Sequence, residues 1–415
     1  GSKYNTAYEG YNWGAGAKYK LSKRNVIQFD YSGNNYASRY KYLIENSGYL
    51  PGQYALTKLQ KFHDAELKGI FGFTTNSTTV FGVDYRREVL RRPDSDLDKS
   101  VYTTSAYGQH EVKLWNHLTG VVGVRYDHHE QTGGRFTPKV AAMYNIGNFN
   151  VRATYAAGFR APGIDELYYH MFKKTMGTRA TISLGDENLD PERSNYYSIN
   201  MEYRTNRFSA SVTGYLNYVK NMVTSKSTKF DDLPEAEQNQ LREEFPEISD
   251  LSSTKNLSVK NYFNFEKATV KGFEVNLNGN LFPGFTLTGN YTYAYGRGLN
   301  EGGEWQNIER SIRHTATITG NYTHSWSDYT LNLNLNGRLQ SKVYYPGDAD
   351  GNVPGYGIWN LNPRHTFDGF RNFVIEPGIG IDNIFNKKDN RPLNKNFALY
   401  SPGRSVVISL ALRLK

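Results

Sequence analysis

Apolar and polar residues alternate along much of this chain. From Tyr329 to Gln340, Leu331, Leu333, Leu335 and Leu339 are interleaved with Asn332, Asn334, Asn336, Arg338 and Gln340. Between Val270 and Leu281, Phe273, Val275, Leu277 and Leu281 alternate with Glu274, Asn276, Asn278 and Asn280. The final segment sets Val406, Ile408, Leu410, Leu412 and Leu414 against Ser405, Ser409 and Arg413. A period of two sustained this long specifies a β-strand with one apolar and one polar face. Strands of a soluble sandwich usually run to about five or six residues, whereas about 9–11 tilted residues cross the hydrocarbon core of a bilayer. The pattern therefore predicts an all-β, antiparallel transmembrane β-barrel with lipid outside and water inside.

Turn chemistry divides the chain further. Short joints fall at Leu21-Ser22-Lys23-Arg24, Thr75-Asn76-Ser77, Ile146-Gly147-Asn148, Thr205-Asn206-Arg207, Phe282-Pro283-Gly284, Ser325-Trp326-Ser327 and Asp368-Gly369-Phe370. Between them lie polar connections at 33–58, 90–101, 128–135, 159–192, 225–264, 297–310, 343–355 and 386–402. Outer-membrane barrels have short periplasmic turns and long external loops, which places 159–192 and 225–264 outside the cell. The count is roughly seventeen strands. The first runs from outside to inside, so an odd number of strands is expected upstream; about five more would give the 22 strands of a plugged outer-membrane transporter. Residues 1–415 thus read as one partial barrel domain without its plug and first strands. Within 225–264, Asp231-Asp232-Leu233-Pro234-Glu235 ahead of 236–245 predicts a short, polar surface helix capped by Asp.

Composition fits this picture. Of 415 residues, 38% are hydrophobic and 14% aromatic, with 33 Tyr and no Cys. A polar inner face explains the low apolar fraction, and the aromatics are what interfacial girdles need. The absence of Cys removes disulfides, thiol nucleophiles and Cys-ligated zinc. No apolar run is long enough for a transmembrane helix, and Gly1-Ser2-Lys3-Tyr4 carries no signal-peptide core, as expected of a mature or truncated chain. The net charge of +9 is scattered rather than gathered on a basic helix, which argues against nucleic-acid binding.

The motifs lie around the first long loop. Gly158-Phe159-Arg160-Ala161-Pro162, Glu166-Leu167-Tyr168 and Asn188-Leu189-Asp190-Pro191-Glu192 resemble the signature of TonB-dependent outer-membrane receptors. Arg125-Tyr126-Asp127, Thr137-Pro138-Lys139, Asp382-Asn383-Ile384-Phe385-Asn386 and Pro402-Gly403-Arg404 extend the resemblance to the end of the chain. The ending Leu412-Arg413-Leu414-Lys415 departs from the family's terminal aromatic. The resemblance implies a 22-stranded barrel in the outer membrane of a Gram-negative cell, closed by a plug that engages the TonB–ExbB–ExbD complex. Haem and haemoglobin receptors of this family carry a Phe-Arg-Ala-Pro box and an Asn-Pro-Asn/Asp-Leu box around a ligand-binding His. Here His170 lies between the boxes, within Tyr168-Tyr169-His170-Met171-Phe172, although Asp186-Glu187-Asn188-Leu189 departs from the second box. Imidazole is an axial ligand for haem iron, and Lys173, Lys174 and Arg179 offer cations for propionates. The expected site is therefore Arg160, Tyr168, Tyr169, His170, Lys173 and Lys174, with haem or a host haemoprotein as ligand and no resident cofactor. Cobalamin and siderophore receptors share the Phe-Arg-Ala-Pro region, so those ligands stay open.

Other clusters read as ordinary polar surface. His128-His129 sits at the outer end of a strand, where adjacent side chains point to opposite faces and do not easily share one metal, so it reads as a polar loop pair. Asp348-Ala349-Asp350-Gly351-Asn352 lacks the glycine and glutamate spacing of a calcium loop and reads as a turn. Asp94, Asp96 and Asp98 could gather a cation, and a solvated loop explains them equally. No nucleophile elbow, phosphate-binding loop or His-Glu-x-x-His motif is present, so no enzyme class is indicated. The expected activity is active import. A passive porin is the competing reading, and a surface adhesin the third.

Overall fold

The computed structural model describes residues 4–45, 48–174, 179–299, 303–308, 310–344, 352–388 and 403–415. Among the described residues, seventeen strands are ten residues or longer. Chain neighbours pair antiparallel, as in Tyr4–Lys20 with Asn25–Tyr42 and Phe373–Asp382 with Ser405–Leu414. The chain divides into two compact units, residues 1–141, 156–195 and 219–267 in one and 142–155, 196–218 and 268–415 in the other.

In the first unit the register sorts side chains into rows. One face carries Phe29, Leu67, Val83, Ala106 and Tyr126 as successive cross-strand partners. Phe29, Leu67 and Val83 are 45%, 48% and 53% exposed, far more than a water-facing sheet shows for such residues in a contiguous patch. The next row toward the long connections is Tyr31, Ala65, Tyr85, Thr104 and His128, and the one beyond it Trp13, Gly33, His63, Arg87 and Tyr102. The rows thus run from apolar to aromatic, with His63 and Arg87 joining the aromatics in the outermost of the three. Gly33 is required by its row, because the Trp13 indole lies across it and a Cβ there would meet ring atoms at 2.3 Å.

The opposite face is polar. Asp30, Glu66, Asp84, Ser105 and Asp127 form one row of partners. Lys68 bridges Glu66 at 2.7 Å and Asp30 at 3.5 Å, and Arg125 bridges Asp84 and Asp127, each at 2.7 Å. These pairs satisfy charges that an apolar surface could not hold.

The second unit repeats the design with amides. Asn332 and Asn336 donate to Thr323 and Thr319 across the strand pair at 2.7 and 2.8 Å, and Asn334 donates to Asn321 at 2.6 Å. The Asn half of the 329–340 alternation is therefore a cross-strand ladder. Val406, Ile408, Leu410, Leu412 and Leu414 stand exposed along the last strand, as do the residues between them.

Three predicted connections are largely strand. Asn25–Tyr42 and Tyr54–Thr74 pair through most of 33–58, leaving a short link; Ser77–Arg92 and Leu97–Trp115 absorb most of 90–101, and Leu118–His129 and Gly133–Ile146 most of 128–135. Backbone pairing continues past the apolar belt, where both faces meet water and alternation no longer marks the strand. His128-His129 ends a strand, as expected, with His129 buried rather than on an open polar loop. Residues 348–351 and Pro402 lie outside the described residues.

The connections at 161–191 and 230–256 fold together. Strands His170–Lys174 and Ala180–Leu184 pair antiparallel, and Ala180–Leu184 also runs parallel to the start of Leu257–Phe282. Ile182, Phe230, Leu241, Phe245, Ile248, Leu257 and Val259 close a small core over this sheet. The expected helix forms at Glu235–Glu244, capped by Pro234 rather than Asp. Asp231 instead accepts a 2.6 Å hydrogen bond from Thr254. Nor is the helix wholly superficial, since Leu241 fills the core.

Candidate functional site

Strand Phe149–Arg160 ends where the first motif begins, and Arg160 links it to the second. Its guanidinium donates to both Glu166 carboxylate oxygens, at 2.9 and 3.3 Å, and to Glu192 Oε1 at 2.7 Å. Glu166 Oε2 also accepts from the Gly163 amide at 2.7 Å, and Glu192 Oε1 from the Val223 amide at 2.8 Å. The planar fork of Arg suits two carboxylates at once. Residues 161–191 thus leave and return through one ionic clamp. Asn264 locks the exit, accepting from the Asp190 amide and donating to the carbonyls of Asp190 and Asn221. Pro162, Leu189 and Pro191 are buried, Phe159 and Ala161 partly so, and Asn188 is exposed with its amide bonded to Asp186.

The short helix Ile164–Tyr168 carries the tyrosines. Ile164 packs with Leu90, Leu97 and Val101, against which Tyr168 and Tyr169 rest. Tyr168 also meets Leu167, Leu189 and Val223, as does Tyr262 from the strand Leu257–Phe282. Each ring has a cation on it: Lys99 at 4.7 Å from Tyr168, Arg92 at 5.5 Å from Tyr169 and Lys260 at 4.5 Å from Tyr262. Burial raises the Tyr168 and Tyr169 hydroxyls above the usual phenol range, so both stay neutral donors. The result is three partly exposed aromatic faces with basic neighbours, suited to an anionic aromatic ligand.

His170 takes another partner. Its Nε2 lies 3.2 Å from Glu244 Oε2, and its ring stacks on Phe245 with centroids 4.4 Å apart. Glu244 is held below the usual carboxylate range by hydrogen bonds from Gln240 and then His170. Lys173 and Lys174 are exposed at the far end of the same strand. The structure therefore places Tyr168 and Tyr169 in the cation–aromatic cluster, Arg160 in the clamp, and His170 against the helix Glu235–Glu244.

Beside the clamp, an open polar cavity of about 620 Å³ is bounded by the 158–163 turn and by Asp64, Glu66, Asp84, Arg86, Glu88, Arg125, Asp127 and His129 of the polar face. No group of three His, Cys, Asp or Glu side chains suited to a metal ion occurs among the described residues. Asp98 of the acidic run faces Arg91 at 3.5 Å. In the second unit, the 382–386 motif is a turn: Asn383 bonds Asn360 and Lys387, and Arg404 is tied to Ile384 and Asn386. Sequence reasoning missed Arg92, Lys99, Lys260, Tyr262 and Asn264. Their only signal was a Lys or Arg near the end of an alternating segment.

A family model for the β-barrel of TonB dependent receptor-like proteins matches residues 1–384. The ferric enterobactin receptor PirA of Pseudomonas aeruginosa is 24% identical over 315 residues, covering 69% of this chain and 38% of that protein. The ferrienterobactin receptor of Escherichia coli K12 is 21% identical over 425 residues, covering 91% and 52%. This chain therefore spans from about two fifths to half the length of these relatives. Among solved structures, a ferric enterobactin receptor (PfeA) mutant from Pseudomonas aeruginosa aligns with a TM-score of 0.69 at 17% identity, over 98% of this chain and 62% of that one.

Proposed function

This chain belongs to the TonB-dependent receptor β-barrel family, and on that premise we propose that it is the barrel of an outer-membrane receptor importing a ferric siderophore, of the catecholate class before haem. The cation–aromatic cluster of Tyr168, Tyr169 and Tyr262 with Lys99, Arg92 and Lys260 carries this reading. A ferric catecholate is anionic and presents aromatic rings, so basic groups answer its charge and tyrosines its faces. The names of the relatives as enterobactin receptors point the same way. Haem ligation by His170 through Nε2 would instead require that nitrogen to give up Glu244.

In this reading the clamp around Arg160 shapes the loop and does not touch the ligand, while Lys173 and Lys174 add positive charge at the rim. The polar inner wall offers a wet path, a plug closes it, and TonB–ExbB–ExbD supplies the energy. No covalent chemistry on the ligand is needed.

The test is uptake of labelled iron by the whole receptor in a Gram-negative host lacking its own catecholate and haem receptors. TonB-dependent uptake from a ferric catecholate, reduced by Tyr168→Ala with Tyr262→Ala, supports the proposal. Uptake from haemin alone, abolished by His170→Ala, replaces it with haem import. Uptake indifferent to TonB leaves a passive porin.

A further inference from the structure

The lipid-facing side of the first unit holds a basic pair that the uptake reading does not use. Lys61 sits opposite Val89, and His63 opposite Arg87, so Lys61 and Arg87 are diagonal neighbours on adjacent strands. Such neighbours lie roughly 7–8 Å apart, and like charges so placed repel. Arg87 lies in the row of Trp13 and Tyr102, one row past Tyr31 and Tyr85, and Lys61 lies one row further, on the face that lower down is Phe29, Leu67 and Val83. The Tyr85 and Tyr102 rings stack, with centroids 6.3 Å apart, and the Trp13 ring meets the edge of His63 at 5.9 Å.

The carboxylates of this face are engaged elsewhere. Glu9 is paired with Arg39, Asp98 with Arg91 at 3.5 Å, and Glu130 accepts from the Tyr102 amide at 3.2 Å. Arg87 reaches Ser100 Oγ at 3.5 Å. Among the described residues neither Lys61 nor Arg87 forms an ion pair. Tyr and Trp mark the headgroup level of a bilayer, so one cation at that level and a second one row beyond it lie where lipid phosphates are. A phosphate between them would relieve their repulsion and supply the missing counter-charge.

We infer that Lys61 and Arg87 form a binding site for the phosphate of an outer-leaflet lipid headgroup, on the outside of the barrel wall. His63 and Tyr102, the cross-strand partners of Arg87, border it. The site rests on the outer-membrane reading above but is independent of the imported ligand.

The test uses the full chain purified in detergent, with a phosphorylated disaccharide glycolipid as probe and its dephosphorylated form as comparison, read by native mass spectrometry. Wild type should retain the phosphorylated lipid preferentially. Lys61→Gln and Arg87→Gln should each weaken retention roughly five-fold, the scale of one basic group near an anionic surface. Lys18→Gln with Lys20→Gln, which removes equal charge from the opposite face, should leave it unchanged. Heat-modifiable migration on gels checks that each variant is folded. Equal retention by the Lys61→Gln/Arg87→Gln double variant, or of the dephosphorylated lipid, overturns the site. So does full displacement by inorganic phosphate at matching concentration, which would make it a free-phosphate site. Flotation with liposomes separates the two readings: a chain that inserts but shows no phosphate preference refutes only this site, whereas one that never inserts refutes the membrane reading beneath it.

Discussion

Arg160 answers two carboxylates that are themselves poorly exposed, Glu166 and Glu192 at 18% and 19%. Removing the guanidinium leaves both without their cation, and hydrogen bonds to charged groups contribute about 1.5–3 kcal/mol each. Arg160→Ala should therefore release residues 161–191, seen as faster tryptic cleavage at Lys173 and Lys174, with the strands still resistant. Arg160→Lys should restore only part of the protection, because an ammonium cannot bridge both carboxylates as a fork does. If neither substitution changes the cleavage rate, the clamp does not hold the loop. Gly185 is a second dependence: an added Cβ would come within 2.6–2.7 Å of the Leu167 and Tyr168 backbone. Gly185→Ala should push the tyrosine-bearing helix off its seat and weaken ligand binding, measured by titration, more than it lowers the melting temperature.

At the scale of elements, the loop sheet and its helix depend on a small core, and Leu241 is 3% exposed within it. Leu241→Ala should cost about 2–5 kcal/mol within that core, appearing as faster hydrogen exchange across 230–259 without loss of strand protection. The Glu244 contact adds a pH dependence. Because its carboxyl is held below the ordinary value of 4.5, its stabilisation is fully present above that value and is lost as the pH falls through the lowered one. Exchange in the helix Glu235–Glu244, corrected for its intrinsic pH dependence, should rise in that acid window in wild type and stay flat in Glu244→Gln. Much of this element was legible: the Pro-Glu start and the following acidic turn announced the helix. Its partner was not, because Phe230, Leu241 and Ile182 are scattered apolar residues whose meeting depends on the parallel pairing of 180–184 with 257–261. The ends of the strands were hidden for a related reason, since alternation reports a lipid face and stops where lipid stops. Likewise, the motif around Arg160 was visible as a motif, but only geometry shows that it is spent on Glu166 and Glu192. His170 stood out by its neighbours in sequence, while its neighbours in space are Glu244 and Phe245.

For the whole molecule, the two faces of the sheet make the most general claim, and one strand tests both. Gln28 and Phe29 are consecutive, so they point to opposite sides. Gln28 donates to Asp30 at 2.7 Å and pairs with Lys68 on the charged face, whereas Phe29 lies in the apolar row with Leu67 and Val83. If that row faces hydrocarbon, Phe29→Arg should cost about 2–4 kcal/mol, the penalty for a basic side chain near the bilayer midplane of a barrel. Gln28→Arg adds the same charge one residue earlier, where water is close and Asp30 and Glu66 offset its cross-strand partners Lys18 and Lys68, and should cost no more than about 1 kcal/mol. Urea-induced unfolding of the full receptor in lipid vesicles measures both differences, and the quantity that matters is their contrast. A soluble sheet would invert the result, since an exposed Phe29 replaced by Arg should then cost little. Equal costs at the two positions would mean that neither face is lipid, and with that the barrel wall, its wet interior and the phosphate site at its outer rim would all lose their physical basis.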